Sequence, residues 1–152
     1  MYTYEEYEQK CDQIRNRNEF YINEFREDLI NAGLKKRTIS RHCNNIDLYI
    51  NIYLLREEPL EMTSGADYYR IDDFLGYFFI RKCAWSTPST IKGTAASIKK
   101  FYKSMLQRGY IEESNYKELI ETIKENIDEW LEDCEAYNDP NAPNPYNYFD
   151  FL

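Results

Sequence analysis

Apolar positions recur every three or four residues along most of the chain, and the runs are punctuated by helix-start and helix-stop residues. A first segment, about Tyr4 to Arg15, sets Tyr4, Tyr7, Cys11 and Ile14 on one face. A second, about Asn18 to Ala32, carries Tyr21, Ile22, Phe25, Leu29 and Ile30 and stops at Gly33. A third, about Lys36 to Leu55, aligns Ile39, Cys43, Ile46, Ile50, Tyr53 and Leu54, with Leu48, Ile52 and Leu55 as a second apolar stripe awaiting a terminal helix or a partner. Pro59 marks the loop that follows, and a fourth segment runs from about Tyr69 to Cys83. Ser86 or Thr87 caps a fifth, with Pro88 in its first turn and a stop at Gly109. A sixth, about Ser114 to Glu135, carries Tyr116, Leu119, Ile120, Ile123, Ile127, Trp130, Leu131 and Cys134. Alternating runs are scarce, so the pattern predicts an all-α chain.

The last stretch differs. Pro140, Pro143 and Pro145 forbid a helix over residues 137–152, yet Tyr146, Tyr148, Phe149, Phe151 and Leu152 crowd its end. Two readings stand: an extended arm that docks on its own domain or a neighbour, or a frayed terminus. The expected organisation is a single helical domain over residues 1–136 followed by this tail.

Composition narrows the function classes. The chain has 152 residues, a hydrophobic fraction of 43%, four cysteines and one histidine. That length and apolar content suit one domain with a real core and exclude disorder. Five glycines are too few for a fold built on a Gly-rich nucleotide loop. A single histidine excludes chemistry that needs two. Cys11, Cys43, Cys83 and Cys134 are widely spaced and form no CxxC, so they read as reduced, buried thiols with no metal site. Neither a signal peptide nor a membrane-length apolar run is present, so the expected location is cytoplasmic, with no membrane partner and no cofactor.

The net charge of −8 argues at first against nucleic acid, but it is unevenly laid out. Residues 32–45 carry Lys35, Lys36, Arg37 and Arg41 and no acid. Residues 78–111 carry seven basic groups and no acid, whereas residues 112–152 have a net charge of −10. On a helical wheel of the fifth segment, Ile91, Ala95, Ile98, Phe101, Tyr102, Met105 and Leu106 form the buried arc. Ser89, Lys92, Ala96, Lys99, Lys100 and Lys103 lie opposite, with Gly93 beside them. A lysine stripe with small gaps suits close approach to a phosphate backbone, and Ser89 and Thr90 offer donors at the helix start. On the third segment Ser40, Arg41 and Asn44 point away from the buried face. Arg and Asn match guanine and adenine edges.

FYINEFREDLINAGLKKRTISRHCNNIDLYINIYL, IDDFLGYFFIRKC and STPSTIKGTAASIKKFYKSMLQRGYI together resemble the N-terminal SAM-like, or core-binding, domain of phage integrases and tyrosine recombinases. The matches are Ala32-Gly33-Leu34, Thr38-Ile39, Phe74-Leu75, Ser89-Thr90-Ile91, Ser97-Ile98, Phe101-Tyr102 and Gly109-Tyr110-Ile111, over about residues 20–111. The resemblance implies an orthogonal bundle of four core helices, here extended by an N-terminal and a C-terminal helix. It also implies that the second and fourth core helices, our third and fifth segments, face a DNA major groove. The sequence departs from the family in three ways. Lys35 stands where a capping Ser is usual, Asp72 and Asp73 open the fourth segment, and residues 112–152 are acidic. His42 is followed by Cys43, Asn44 and Asn45, so the recombinase His-x-x-Arg is not formed, and no Arg cluster surrounds Tyr146 or Tyr148.

The resulting expectation is a non-catalytic DNA-binding domain, an integrase relic or accessory protein, with double-stranded DNA as partner and no enzymatic activity. Lys35, Lys36, Arg37, Ser40, Arg41, Asn44, Ser89, Thr90, Lys92, Lys99, Lys100 and Lys103 are its candidate contacts, and His42 is a core or interface residue. The alternative is an acidic helical interaction module that kept the fold without DNA binding. In that case the helix over about 114–135, or the aromatic residues 146–152, would hold a protein partner or a second copy. The apolar stripe of that last helix has a plainer reading too, packing with Tyr4, Tyr7, Cys11 and Ile14 to extend the bundle.

Overall fold

A computed structural model describes residues 1–141, so the aromatic end of the expected arm lies outside the described residues. The described residues hold helices and turns and no strand. The first two sequence segments are one helix, α1 (Tyr4–Asn31). No Gly or Pro separates them, and the apparent break at Asn16-Arg17 is only the outer face of a continuous helix. A capping box between Thr3 and Glu6 starts it. It ends at Gly33, whose φ of 83° lets Leu34 N–H reach back to the Leu29 carbonyl (3.2 Å).

The helix α2 (Lys36–Asp47) continues as a π-helical turn over Leu48–Tyr53. Buried Asn18 of α1 donates to the Ile50 carbonyl (3.2 Å) and to Asn51 Oδ1 (2.8 Å) beside that turn, while its own Oδ1 is left without a partner. The wider turn rotates Tyr49, Ile50, Tyr53, Leu54 and Leu55 all inward. A short 3₁₀ turn, Met62–Ala66, is held by two buried phenols: Tyr49 donates to the Gly65 carbonyl (2.6 Å) and Tyr102 to the Met62 carbonyl (2.7 Å). The expected fourth helix is present as α3 (Tyr68–Asp73), a π-helical turn (Phe74–Phe78) and α4 (Phe79–Lys82) in unbroken succession. Then come α5 (Pro88–Gln107) and α6 (Glu113–Asn138).

One core joins α1, α2, the α3–α4 rod, α5 and α6. Phe25 of α1 meets Phe101 of α5 edge to face (5.3 Å, 87°), and Tyr49, Tyr53, Phe74 and Phe78 stack between α2 and the rod. Leu119, Ile123, Trp130 and Cys134 sink the stripe of α6 into this core, against α5 and the rod. Trp130 donates to Asp72 Oδ1 (2.7 Å) and lies on Gly76, where a β-carbon would sit 2.6 Å from the indole. The pairing of α6 with the N-terminal residues is therefore replaced. Tyr7, Cys11 and Ile14 instead close over Leu55 in a separate small cluster, and the Tyr7 hydroxyl donates to the Leu55 carbonyl. Leu55 thus receives the N-terminal part of α1, while Ile52 stays exposed. All four thiols are free and buried. Burial pushes those of Cys43, Cys83 and Cys134 up.

Candidate nucleic-acid interface

The start of α2 is unusual for a helix. Its N-cap, Lys35, makes no side-chain capping bond, and its first turn holds no acid. The first N–H groups therefore carry the positive end of the helix dipole with no local anion, and Lys35, Lys36 and Arg37, all exposed, add three like charges. That arrangement disfavours the isolated helix and favours any anion brought to it. Ser40 and Arg41 continue the exposed face.

The start of α5 is built the opposite way. Thr87 and Thr90 form a reciprocal cap, with Thr90 N–H donating to Thr87 Oγ1 (3.1 Å) and Thr87 N–H to Thr90 Oγ1 (2.8 Å). The Thr90 hydroxyl lies 3.0 Å from the Thr87 carbonyl, so in the free protein this residue serves the cap. Ser89, Lys92, Lys100 and Lys103 are exposed, and Lys99 is half-buried. A β-carbon added at Gly93 meets nothing within 4 Å, so the surface there is low enough for close approach.

The two basic helices meet across a buried polar seam. His42, only 4% exposed, places Nδ1 2.6 Å from Ser97 Oγ. Asn45 Nδ2 donates to the same oxygen (3.0 Å), and Ser97 Oγ also lies 3.1 Å from the Gly93 carbonyl. Burial first, then the charges of Arg41 and Lys100, hold the His42 pKa below its ordinary value. His42 is thus a buried interface residue held toward its neutral form, disfavoured as a cation first by burial and then by the positive charges of Arg41 on α2 and Lys100 on α5. Sequence reasoning identified His42 as core or interface but missed Ser97 and Asn45 as its partners. The available signal was polar residues at buried positions of two facing helices.

Not every candidate joins this ridge. Asn44 lines the groove between α1 and α2, with Arg15, Asn23 and Arg26. Lys92 and Lys99 border the groove between α5 and α6. Arg108, within the second basic tract, is consumed by α1: it pairs with Glu24 (2.6 Å) and Asp28 (2.6 Å), and Ser104 adds a 2.5 Å bond to Asp28. Arg81 lies over the rings of Tyr77 and Tyr137. Among the described residues no salt bridge involves Lys36, Arg37, Arg41, Lys92, Lys99, Lys100 or Lys103. The described residues also contain no group of acidic, His and Cys side chains able to hold a metal ion, and no helix long and apolar enough to cross a membrane.

A small helical bundle in which two basic helices pack against each other is the class this architecture defines. Residues 21–112 match the family model described as phage integrase, N-terminal SAM-like domain. That match covers more than half of the chain, which therefore belongs to the phage integrase N-terminal SAM-like domain family. Comparison with curated proteins and with solved structures gave no match. The matched region begins within α1 and ends just before α6, so the acidic last helix lies outside it.

Proposed function

We propose that the protein binds double-stranded DNA non-catalytically through the exposed faces of α2 and α5. The observation that carries this reading is that α2 and α5, joined by the buried His42–Ser97 contact, both carry exposed cations, Lys36, Arg37 and Arg41 on one and Lys100 and Lys103 on the other, with no salt bridge among the described residues. Lys36, Arg37, Lys100 and Lys103 grip phosphates, Lys92 and Lys99 extend the grip toward α6, and Arg41 is the candidate for a base edge. An integrase relic or accessory role fits a chain whose recognisable part is the N-terminal domain type.

Fluorescence anisotropy with a mixed-sequence duplex tests it. With about six phosphates neutralised, log K should fall against log salt with a slope near −5, or about a thousandfold in affinity between 50 and 200 mM. The triple variant Lys99→Glu, Lys100→Glu, Lys103→Glu should shed at least about 3 of that slope while its circular dichroism and melting stay unchanged. Absent or salt-insensitive binding, both in the native chain and with Phe149 and Phe151 replaced by alanine, would sink the proposal.

A further inference from the structure

The helices α5 and α6 run antiparallel, and Asn138 near the end of α6 donates to the Ser86 carbonyl just before α5 begins (2.8 Å). Between them lies an open groove of about 460 Å³, floored by Ile120, Ile123 and Ile127 and edged by Lys92, Lys99 and Lys124. No acidic side chain lines it. An apolar floor under three lysines suits a helix that brings apolar side chains together with carboxylates.

The chain itself carries such a helix. The charges of α6 are divided along its length. Both its lysines, Lys117 and Lys124, stand in the first half, whereas residues 125–138 hold Glu125, Asp128, Glu129, Glu132, Asp133 and Glu135 and no base. Ile120, Lys124, Ile127, Asp128 and Leu131 follow one another along one edge of α6 at three- and four-residue spacing, and the first three line the groove. Ile127 and Leu131 are half-buried, whereas Lys124 and Asp128 are exposed. Among the described residues neither Lys124 nor Asp128 makes a salt bridge, while Lys117 already pairs with Glu113 (3.5 Å). A helix with its bases toward one end and its acids toward the other is complementary to its own reversed copy, which is what a two-fold contact requires.

We infer that the α5–α6 groove is a self-association surface, on which two copies of the chain lie α6 against α6, antiparallel, about a two-fold axis beside Asn126. That register sets Lys124 of each copy opposite Asp128 of the other. The groove floor from Ile120 to Ile127 covers about 10 Å at 1.5 Å per residue, and residues 125–132 of the second copy lie over it. Ile127 and Leu131 of that copy meet the isoleucines, and the acids beside them answer Lys92 and Lys99. The pairing stands without reference to DNA: Lys36, Arg37, Arg41, Lys100 and Lys103 line no part of the groove, and only Lys92 and Lys99 are shared with the phosphate-gripping face proposed above.

Sedimentation equilibrium of the full chain without nucleic acid tests the pairing, at concentrations up to about 200 μM so that a dimer of micromolar affinity is captured. The native chain should pass from monomer to dimer mass. Lys124→Glu and Asp128→Lys each set like charges face to face twice in the dimer, and each should weaken association at least about tenfold. An equimolar mixture of the two variants should regain a dimer of near-native affinity, because each then meets the opposite charge on the other. An effect confined to one chain's folding, or to the pair four residues apart on its own helix, gives no such recovery. A native chain that stays monomeric throughout overturns the pairing. So does a dimer that both variants leave intact, or a mixture that associates no more tightly than its components. Each of these results leaves the DNA reading untouched, and absence of duplex binding leaves the dimer untouched.

Discussion

Replacing Ser97 with alanine tests whether the seam between α2 and α5 is a structural joint. The hydroxyl serves His42 Nδ1 at 2.6 Å, Asn45 Nδ2 at 3.0 Å and the Gly93 carbonyl at 3.1 Å. The Gly93 carbonyl belongs to the helix and keeps its backbone environment. Asn45 is only half-buried, so its amide turns to water at small cost. His42 is 4% exposed and has no such escape, so its Nδ1 loses the Ser97 contact with no water at hand to replace it. A buried group left unpaired costs about 1–3 kcal/mol, and the missing oxygen leaves a void too small to add much. The expected loss is about 2 kcal/mol, or a fall of about 4–8 °C in melting temperature for a chain of this length. Urea unfolding followed by far-ultraviolet circular dichroism at pH 8, where His42 is neutral, measures it. The midpoint should fall with the slope unchanged. Adding His42→Leu should recover part of the loss, because both polar partners are then gone together. A Ser97→Ala change under about 0.5 kcal/mol, or a double variant whose losses simply add, would refute the account.

Four further outcomes follow from the same geometry. His42 has its pKa lowered by burial, Arg41 and Lys100, so the unfolded chain takes up a proton more readily than the native one. Stability should therefore fall as the pH drops below the ordinary histidine value of 6.5, and His42→Gln should flatten unfolding curves in that window. The Arg108 guanidinium holds the Asp28 carboxyl below its ordinary 3.8 against its own desolvation, with Ser104 helping. That contribution is present above about pH 4 and lost as the pH falls further, so Arg108→Ala should cost about 1 kcal/mol at neutral pH and leave a shallower acid limb in a pH titration of the urea midpoint. Gly76→Ala should destabilise by about 1–3 kcal/mol and perturb Trp130 fluorescence, since the added methyl overlaps the indole despite alanine's better helix propensity. Gly93→Ala, where nothing lies within 4 Å, should instead raise the melting midpoint through about 0.5–1 kcal/mol of helix propensity.

The all-α class, the stops at Gly33 and Gly109, and a cap at Ser86 or Thr87, which the structure gives to Thr87, were readable because each follows from local chemistry. What escaped were features that depend on a distant partner. Asn18 interrupts the apolar stripe of α1, so the sequence reads as two segments; buried against Ile50 and Asn51, that same residue is part of one continuous helix. The π-helical turn at Leu48–Tyr53 was hidden behind two apparent stripes, because the wider turn buries neighbours that a regular helix would send to opposite sides. The two basic tracts were legible as charge runs, but their sorting was not. Arg108 looks like its fellow cations in sequence and only the fold sets it against Glu24 and Asp28.

That sorting bears on how an acidic chain keeps a basic face. The overall excess of acid resides largely in α6 and the residues after it, and charges farther apart than about 8–10 Å are screened at physiological salt. The acidic total therefore says little about the potential over α2 and α5. Locally, Arg41 and Lys100 both weigh against a proton on His42, and the start of α2 adds an uncapped dipole to Lys35, Lys36 and Arg37. Each of these arrangements costs stability in the free protein, and each would be relieved by a nearby anion. A purely structural helix pair would gain from a Ser or Asp at position 35 and from an acid opposite Lys100. The residues actually present supply no such acid, and a nearby anion would fill that role. The solvated lysine face common on surface helices lacks this feature, because it is not joined through a buried histidine to a second basic helix.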